Sequence, residues 1–281
     1  MCAAFAVKLC ALCVKCISNS LIFPTTSNIR ALELYQIPLI ILLGFGAAFL
    51  NTVGGGGSLF TVPILTFMGV PITMANATAR VAILAQNVTA VGGFRSKKVE
   101  LPLQYSLYLA TVSLVGGFIG SKLASTIDDK LFSRIFVVVM LFSIGLVIFD
   151  PFKSTNKQER VGPKQQIIGS ICFFFIAIYG GFVQAGIGFL VIGVLSIVNN
   201  FNLVKTNYIK VFVAIVYTGV SVVVFAYEDK IIWTTGFILA IGHALGGWYA
   251  SRWSVDKGEV WIKRVMIVSV IGMAIKLWFF P

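Results

Sequence analysis

Two glycine-broken apolar runs, one in each half of the chain, set the tightest limit on its fold. The first reads GFGAAFLNTVGGGGSLFTVPIL from Gly44 to Leu65, and the second reads YGGFVQAGIGFLVIGVL from Tyr179 to Leu195. A glycine cluster inside a run of this hydrophobicity interrupts a helix at bilayer depth. Lipid there satisfies no backbone N–H or C=O. Such breaks are tolerated where they line a protein cavity, and a matched pair points to the binding site of a secondary transporter.

The rest of the chain fits a membrane setting. Of 281 residues, 58% are hydrophobic and only 11% charged, against about 25% charged in a soluble domain. The apolar runs are continuous rather than alternating, which argues against a β-barrel. The fold class expected is an all-α polytopic membrane protein. The net charge of +12 reads as Lys and Arg gathered in cytoplasmic loops. No aromatic-interleaved basic segment argues for nucleic acid. Four of the five cysteines (Cys2, Cys10, Cys13, Cys16) precede residue 17 and read as small apolar residues or lipidation sites. With His243 the only histidine, neither a metal site nor a cofactor is expected.

Runs of spanning length, about 20 residues each, follow in order. After a tail or interfacial helix over 1–35, the first half (36–150) holds a broken run, Gln36 to Met68. It continues with Ala75 to Phe94, Leu103 to Leu123 and Leu131 to Phe149. A polar cytoplasmic linker occupies 151–166. The second half (167–281) repeats the pattern: a broken run from Ile167 to Val198, then Asn207 to Tyr227, Ile231 to Ala250 and Val260 to Phe280. The halves also match locally. Gly116 to Lys122 (GGFIGSK) and Gly246 to Arg252 (GGWYASR) lie 130 positions apart, as do Ser133-Arg134 and Lys263-Arg264. If each broken run is a re-entrant hairpin, each half crosses three times and the two repeats are inverted. Arg95, Lys97, Lys98, Lys205 and Arg252 then fall on one face. Asp128-Asp129 and Glu228-Asp229 fall on the other.

Several residues inside these runs carry polar chemistry. A half-helix after a break presents unpaired N–H groups and a positive dipole end. Gly54, Gly55, Gly56 and Gly57, with Ser58 as N-cap, would cradle an oxyanion, and four glycines in a row exceed what helix packing requires. Gly186 and Gly188, with Gln184 beside them, form the second set. Arg80 and Lys210 lie at matched depths in ANATARVAI and TNYIKVFVAI, and a cation in a span costs about 2.5–3.5 kcal/mol on insertion scales. Snorkelling to the interface is the plainer reading; a compensating anion is the functional one. Asn76, Arg80 and Asn87 share a helix face, with Thr78 nearby. His243 is a proton-relay candidate or a hydrogen-bonded packing residue. The absence of Asp and Glu from the spans argues against a carboxylate-based cation site.

At these residues the chain resembles the TauE/SafE family of sulfite and organosulfonate exporters. The resemblance rests on Gly54 to Gly57 followed by Pro63, on Gly69-Val70-Pro71 leading into Ala75-Asn76-Ala77-Thr78-Ala79, and on the weaker second copy at Gly186-Ile187-Gly188. It runs from about Ile37 to the C-terminus, and departs from the pattern where Phe189 replaces another glycine. It implies a multi-pass inner-membrane exporter of sulfite, sulfoacetate or a related organosulfonate, working by alternating access. The expected partners are a small anionic substrate and the bilayer, with a homodimer left open. An anion channel of the same fold is an alternative. A seven-helix receptor or retinal-type protein is another, with Lys210 as Schiff base but no carboxylate counter-ion. No constellation of an enzyme is present.

Overall fold

The computed structural model describes residues 36–148 and 159–279. Its helices are α1 (Gln36–Gly54), α2 (Ser58–Phe67), α3 (Ile72–Ser96), α4 (Leu103–Thr126), α5 (Asp129–Ile148), α6 (Pro163–Phe182), α7 (Ile187–Asn199), α8 (Leu203–Tyr227) and α9 (Trp233–Phe279). Among the described residues there is no strand. Ile37–Gly54, Leu103–Thr126, Pro163–Phe182 and Leu203–Tyr227 are long and apolar enough to cross a membrane. The 1–35 tail and residues 151–158 of the linker lie outside the described residues. Helix α6 starts at Pro163, inside the stretch expected to be linker. Proline at the first helical position has its φ already set and gives up no needed hydrogen bond.

The broken runs are hairpins. Helices α2 and α7 have 10 and 13 residues, so they rise about 15 and 20 Å, short of the ~30 Å hydrocarbon core. Each folds back on its predecessor. Gly57 lies against Ala47 and Asn51, and Ile64, Leu65 and Met68 share a small apolar cavity with Ile40 and Leu43. In the second hairpin the end of α7 returns to the start of α6. Arg160 N donates to Asn199 O at 2.9 Å, and Asn199 Nδ2 donates back to Arg160 O at 2.8 Å.

The halves are interlocked rather than side by side. Helix α4 packs on α6 and α8, while α9 packs on α1 and α3. The GG pairs make these contacts close. A Cβ at Gly116 would stand 2.5 Å from the Phe174 carbonyl oxygen and 2.9 Å from Ala177 Cβ; one at Gly246 would stand 2.4 Å from the Phe45 oxygen and 2.9 Å from Ala48 Cβ. The seats correspond, so small residues at a helix–helix interface account for both pairs.

Helix α9 departs from expectation. The sequence predicts two spans, Ile231 to Ala250 and Val260 to Phe280, but one helix of 47 residues, Trp233–Phe279, takes in most of both. The stretch between them, SRWSVDKGE, is polar. It contains no proline and a single glycine, so nothing in it stops a helix.

Candidate functional site

Both breaks meet at the centre of the molecule. Helix α1 ends at Gly54, and Gly55 takes φ +85°. Its N–H bonds back to Leu50 O at 3.2 Å and Asn51 O at 2.8 Å. A positive φ at the residue after a helix is where glycine closes the last turn without a Cβ clash. Opposite, Gly186 also has positive φ, +70°, and is the N-cap of α7. The backbones touch: a Cβ on Gly55 would lie 2.4 Å from Gly188 Cα, and one on Gly188 2.2 Å from Gly55 Cα.

Three expectations change here. The N-cap of α2 is Gly57, not Ser58, and no side chain caps it; the Ser58 side chain lies outside the described residues. Close packing also accounts for three of the four glycines in the run. Gly55 abuts Gly188, Gly56 abuts the Phe189 ring, and Gly57 abuts the Ala47 carbonyl. Finally, the contact between Gly55 and Gly188, with buried Phe189 beside it, leaves no room for a guest in this conformation. An anion reaches that point only if the breaks part.

The polar residues on α3 and α8 cap the broken helices, each in the opposite half. Arg80 is fully buried. Its Nη1 donates to Gly180 O, and its Nη2 donates to Gly181 O at 3.0 Å and to Asn76 Oδ1 at 3.4 Å. Asn76 Nδ2 donates to Phe182 O at 3.0 Å. These carbonyls end α6. In mirror fashion, Lys210 Nζ donates to Asn51 O and Thr52 O, both at 3.0 Å, and to Asn207 Oδ1 at 2.7 Å. Asn207 Nδ2 donates to Val53 O at 2.9 Å. These carbonyls end α1.

The physics of the arrangement is plain. The last carbonyls of a helix lack partners within it and form its negative dipole end. Here they meet side chains buried inside the protein, where water does not cover them. A hydrogen bond to a charged donor contributes about 1.5–3 kcal/mol. Two or three such bonds outweigh the insertion cost of the cation, so both residues are held inside and neither snorkels. The two N-terminal ends, Gly57 for α2 and Gly186 for α7, have no side-chain cap.

The other candidates are placed as follows. Thr78 Oγ1 accepts from Ile232 N at 3.0 Å and so anchors the start of α9. Asn87 is buried, and its Nδ2 has no partner among the described residues; nor has Arg80 Nε. The two are seven positions apart on one face of α3. Gln184 donates to Thr218 Oγ1 at 3.1 Å. At positions 132 earlier, Gln86 donates to Thr52 Oγ1 at 3.1 Å, so the same bond recurs with its Gln and Thr exchanged.

His243 joins that first pair. Gln86 spends its amide N–H on Thr52, so its Oε1 accepts from His243 Nδ1 at 3.1 Å. The other ring nitrogen, Nε2, lies 3.5 Å from Thr61 Oγ1. His243→Ala is expected to lower stability by about 2–4 kcal/mol through lost bonds and a cavity, measurable as a lower thermal midpoint in detergent. A relay role predicts further that His243→Gln flattens any pH dependence of transport.

Asn207, Thr52 and Thr218 were not singled out from the sequence. One signal for Asn207 was available: it stands three residues before Lys210, as Asn76 stands four before Arg80.

Comparison with known proteins places the chain among membrane transporters of one family. The sequence profile of the sulfite exporter TauE/SafE family matches residues 40–277. A "Probable membrane transporter protein" of Haemophilus influenzae is 23% identical over 241 residues, covering 86% of this chain and 94% of the relative. The "Probable membrane transporter protein YfcA" of Escherichia coli K12 is 26% identical over 234 residues, covering 82% and 85%. A similarly named protein of Sinorhizobium sp is 22% identical, covering 88% and 94%. No solved structure matches.

Proposed function

This chain belongs to the TauE/SafE family, and from that premise we propose that it exports a small sulfur-containing oxyanion by alternating access. The substrate is sulfite, sulfoacetate or a related organosulfonate. Two inverted halves rock against each other at the Gly55–Gly188 contact, and the anion enters as the breaks separate. The observation that carries this reading is the crossed capping. Arg80 and Lys210 neutralise the negative ends of α6 and α1, while the positive ends of α2 and α7 stay uncapped. The centre is thereby biased toward a negative guest. Asn87 Nδ2 and Arg80 Nε, buried donors without partners among the described residues, lie about 10.5 Å of helix rise apart and mark a path along α3. A buried donor left unsatisfied calls for a ligand or water.

Charge at the two ends sets the orientation. Lys97 pairs with Asp256 at 2.6 Å and Lys205 with Glu159 at 2.6 Å at one end. That end also carries Arg95, Lys98, Arg160, Lys164, Arg252 and Lys257. At the other end Lys122 pairs with Glu228 and Thr73 bonds Asp129; there acids and bases balance. The basic end faces the cytoplasm of an inner membrane. An anion then leaves down the electrical gradient, gaining about 2.3 kcal/mol per charge per 100 mV.

Proteoliposomes loaded with sulfite, sulfoacetate, taurine or sulfate test this. We expect saturable efflux of at least one sulfur oxyanion, with turnover below about 10³ s⁻¹. Flux far above that rate favours a channel of the same fold, and no flux of any of the four refutes the substrate class.

A further inference from the structure

We propose that the Lys210 ammonium is a tethered monovalent cation. It fills the carbonyl site at the end of a broken helix, so the protein needs no free Na⁺ or K⁺ there. Deleting the side chain then leaves a site for a small ammonium ion. The inference goes beyond the transport reading and does not depend on which anion is carried.

Three observations support it. First, the coordination is complete. Lys210 Nζ has three oxygens, Asn51 O, Thr52 O and Asn207 Oδ1, at 3.0, 3.0 and 2.7 Å. The two carbonyls can only accept, and Asn207 spends its N–H on Val53 O, so its Oδ1 also accepts. Three acceptors need three donors, which an ammonium has and a neutral amine lacks. Second, the location is one where membrane proteins bind free cations. Carbonyls at the C-terminal ends of interrupted helices coordinate monovalent ions near the midplane. Here the oxygens are all neutral, which suits a single positive charge better than a divalent ion. Third, no acid shares the charge. Among the described residues, Arg80 and Lys210 are the only buried side chains of Arg, Lys, Asp or Glu. The negative end of α1 is therefore the counter-charge. Arg80 does the same for α6 with a guanidinium.

The test uses the full-length protein in detergent and needs no substrate. Thermal midpoints of wild type, Lys210→Ala and Lys210→Met are measured in chloride salts of methylammonium, ammonium, Na⁺ and tetramethylammonium at equal ionic strength. Lys210→Ala is expected to melt at least about 5 °C lower in tetramethylammonium. About 0.1 M methylammonium should recover half or more of that loss, because the ion fits the vacated volume and has three donors. Tetramethylammonium has none and should not. Lys210→Met fills the volume with an apolar chain and should not respond, and wild type should be indifferent to the salt. If Lys210→Ala is recovered folded only when extracted in methylammonium, that also supports the site. The proposal is overturned if Lys210→Ala melts with wild type, if methylammonium does no better than tetramethylammonium, or if neither condition yields folded protein. It is overturned too if Na⁺ stabilises wild type. Failure of every anion in liposomes would sink the transport reading and leave these melting results standing.

Discussion

Gly188→Ala is expected to give a folded, membrane-inserted protein whose transport falls at least about a hundredfold. The backbone does not object to the change. Gly188 is the second residue of α7, where alanine is better than glycine by up to about 1 kcal/mol. The objection comes only from across the centre, where the new Cβ would lie 2.2 Å from Gly55 Cα and 3.0 Å from Gly55 O. Backbone on backbone cannot yield by rotating a side chain, so the breaks must move apart. A bias of about 2.7 kcal/mol toward the parted state shifts a two-state equilibrium a hundredfold. A transporter that must visit both states then stalls in one. The readout is labelling of an Asn87→Cys reporter, in a background without the native cysteines, by a membrane-impermeant thiol reagent. Labelling should rise with alanine at 188. Gly55→Ala should instead lower stability as well, because its φ of +85° costs a side-chain-bearing residue about 1–2 kcal/mol. Wild-type transport by Gly188→Ala would show that the Gly55–Gly188 contact plays no part in the cycle.

How far the sequence reached is instructive at particular residues. The helical class, the broken runs and their doubling back follow from local rules: glycine and φ, length against bilayer thickness, hydropathy. The packing role of Gly116-Gly117 and Gly246-Gly247 was equally readable. The matched depth of Arg80 and Lys210 was visible too, but not what they touch. Spacing along one helix fixes a face; it says nothing about which carbonyls from another half arrive there. Those carbonyls belong to α6 and α1, some 100 and 158 positions away, and only the interlocking of the halves brings them in. The tight packing of Gly55, Gly56 and Gly57 was hidden for a related reason. Packing demand is set by the partner surface, here Gly188, Phe189 and Ala47, which the run itself does not encode. The unbroken α9 shows the converse: polar composition alone does not end a helix.

Arg80→Ala separates the two roles open to the buried cations. The substitution strips donors from Gly180 O, Gly181 O and Asn76 Oδ1, and each orphaned buried acceptor costs about 1–3 kcal/mol. It also removes a charge whose insertion costs about 2.5–3.5 kcal/mol. The terms partly offset, so a net loss of about 1–3 kcal/mol is expected, enough to lower the melting midpoint by several degrees without preventing insertion. Transport should fall at least about a hundredfold, because the end of α6 would no longer be held where its partner break meets it. Arg80→Lys should recover part of both losses. The other half already shows an ammonium capping such an end through Lys210, which reaches two carbonyls, though from three residues after its asparagine rather than four, and a lysine at 80 would lack the rigid planar fork of the guanidinium. A protein that melts like wild type yet loses anion affinity would assign Arg80 to the substrate instead of the helix end. Lower stability with unchanged affinity in the surviving fraction would assign it to the cap alone.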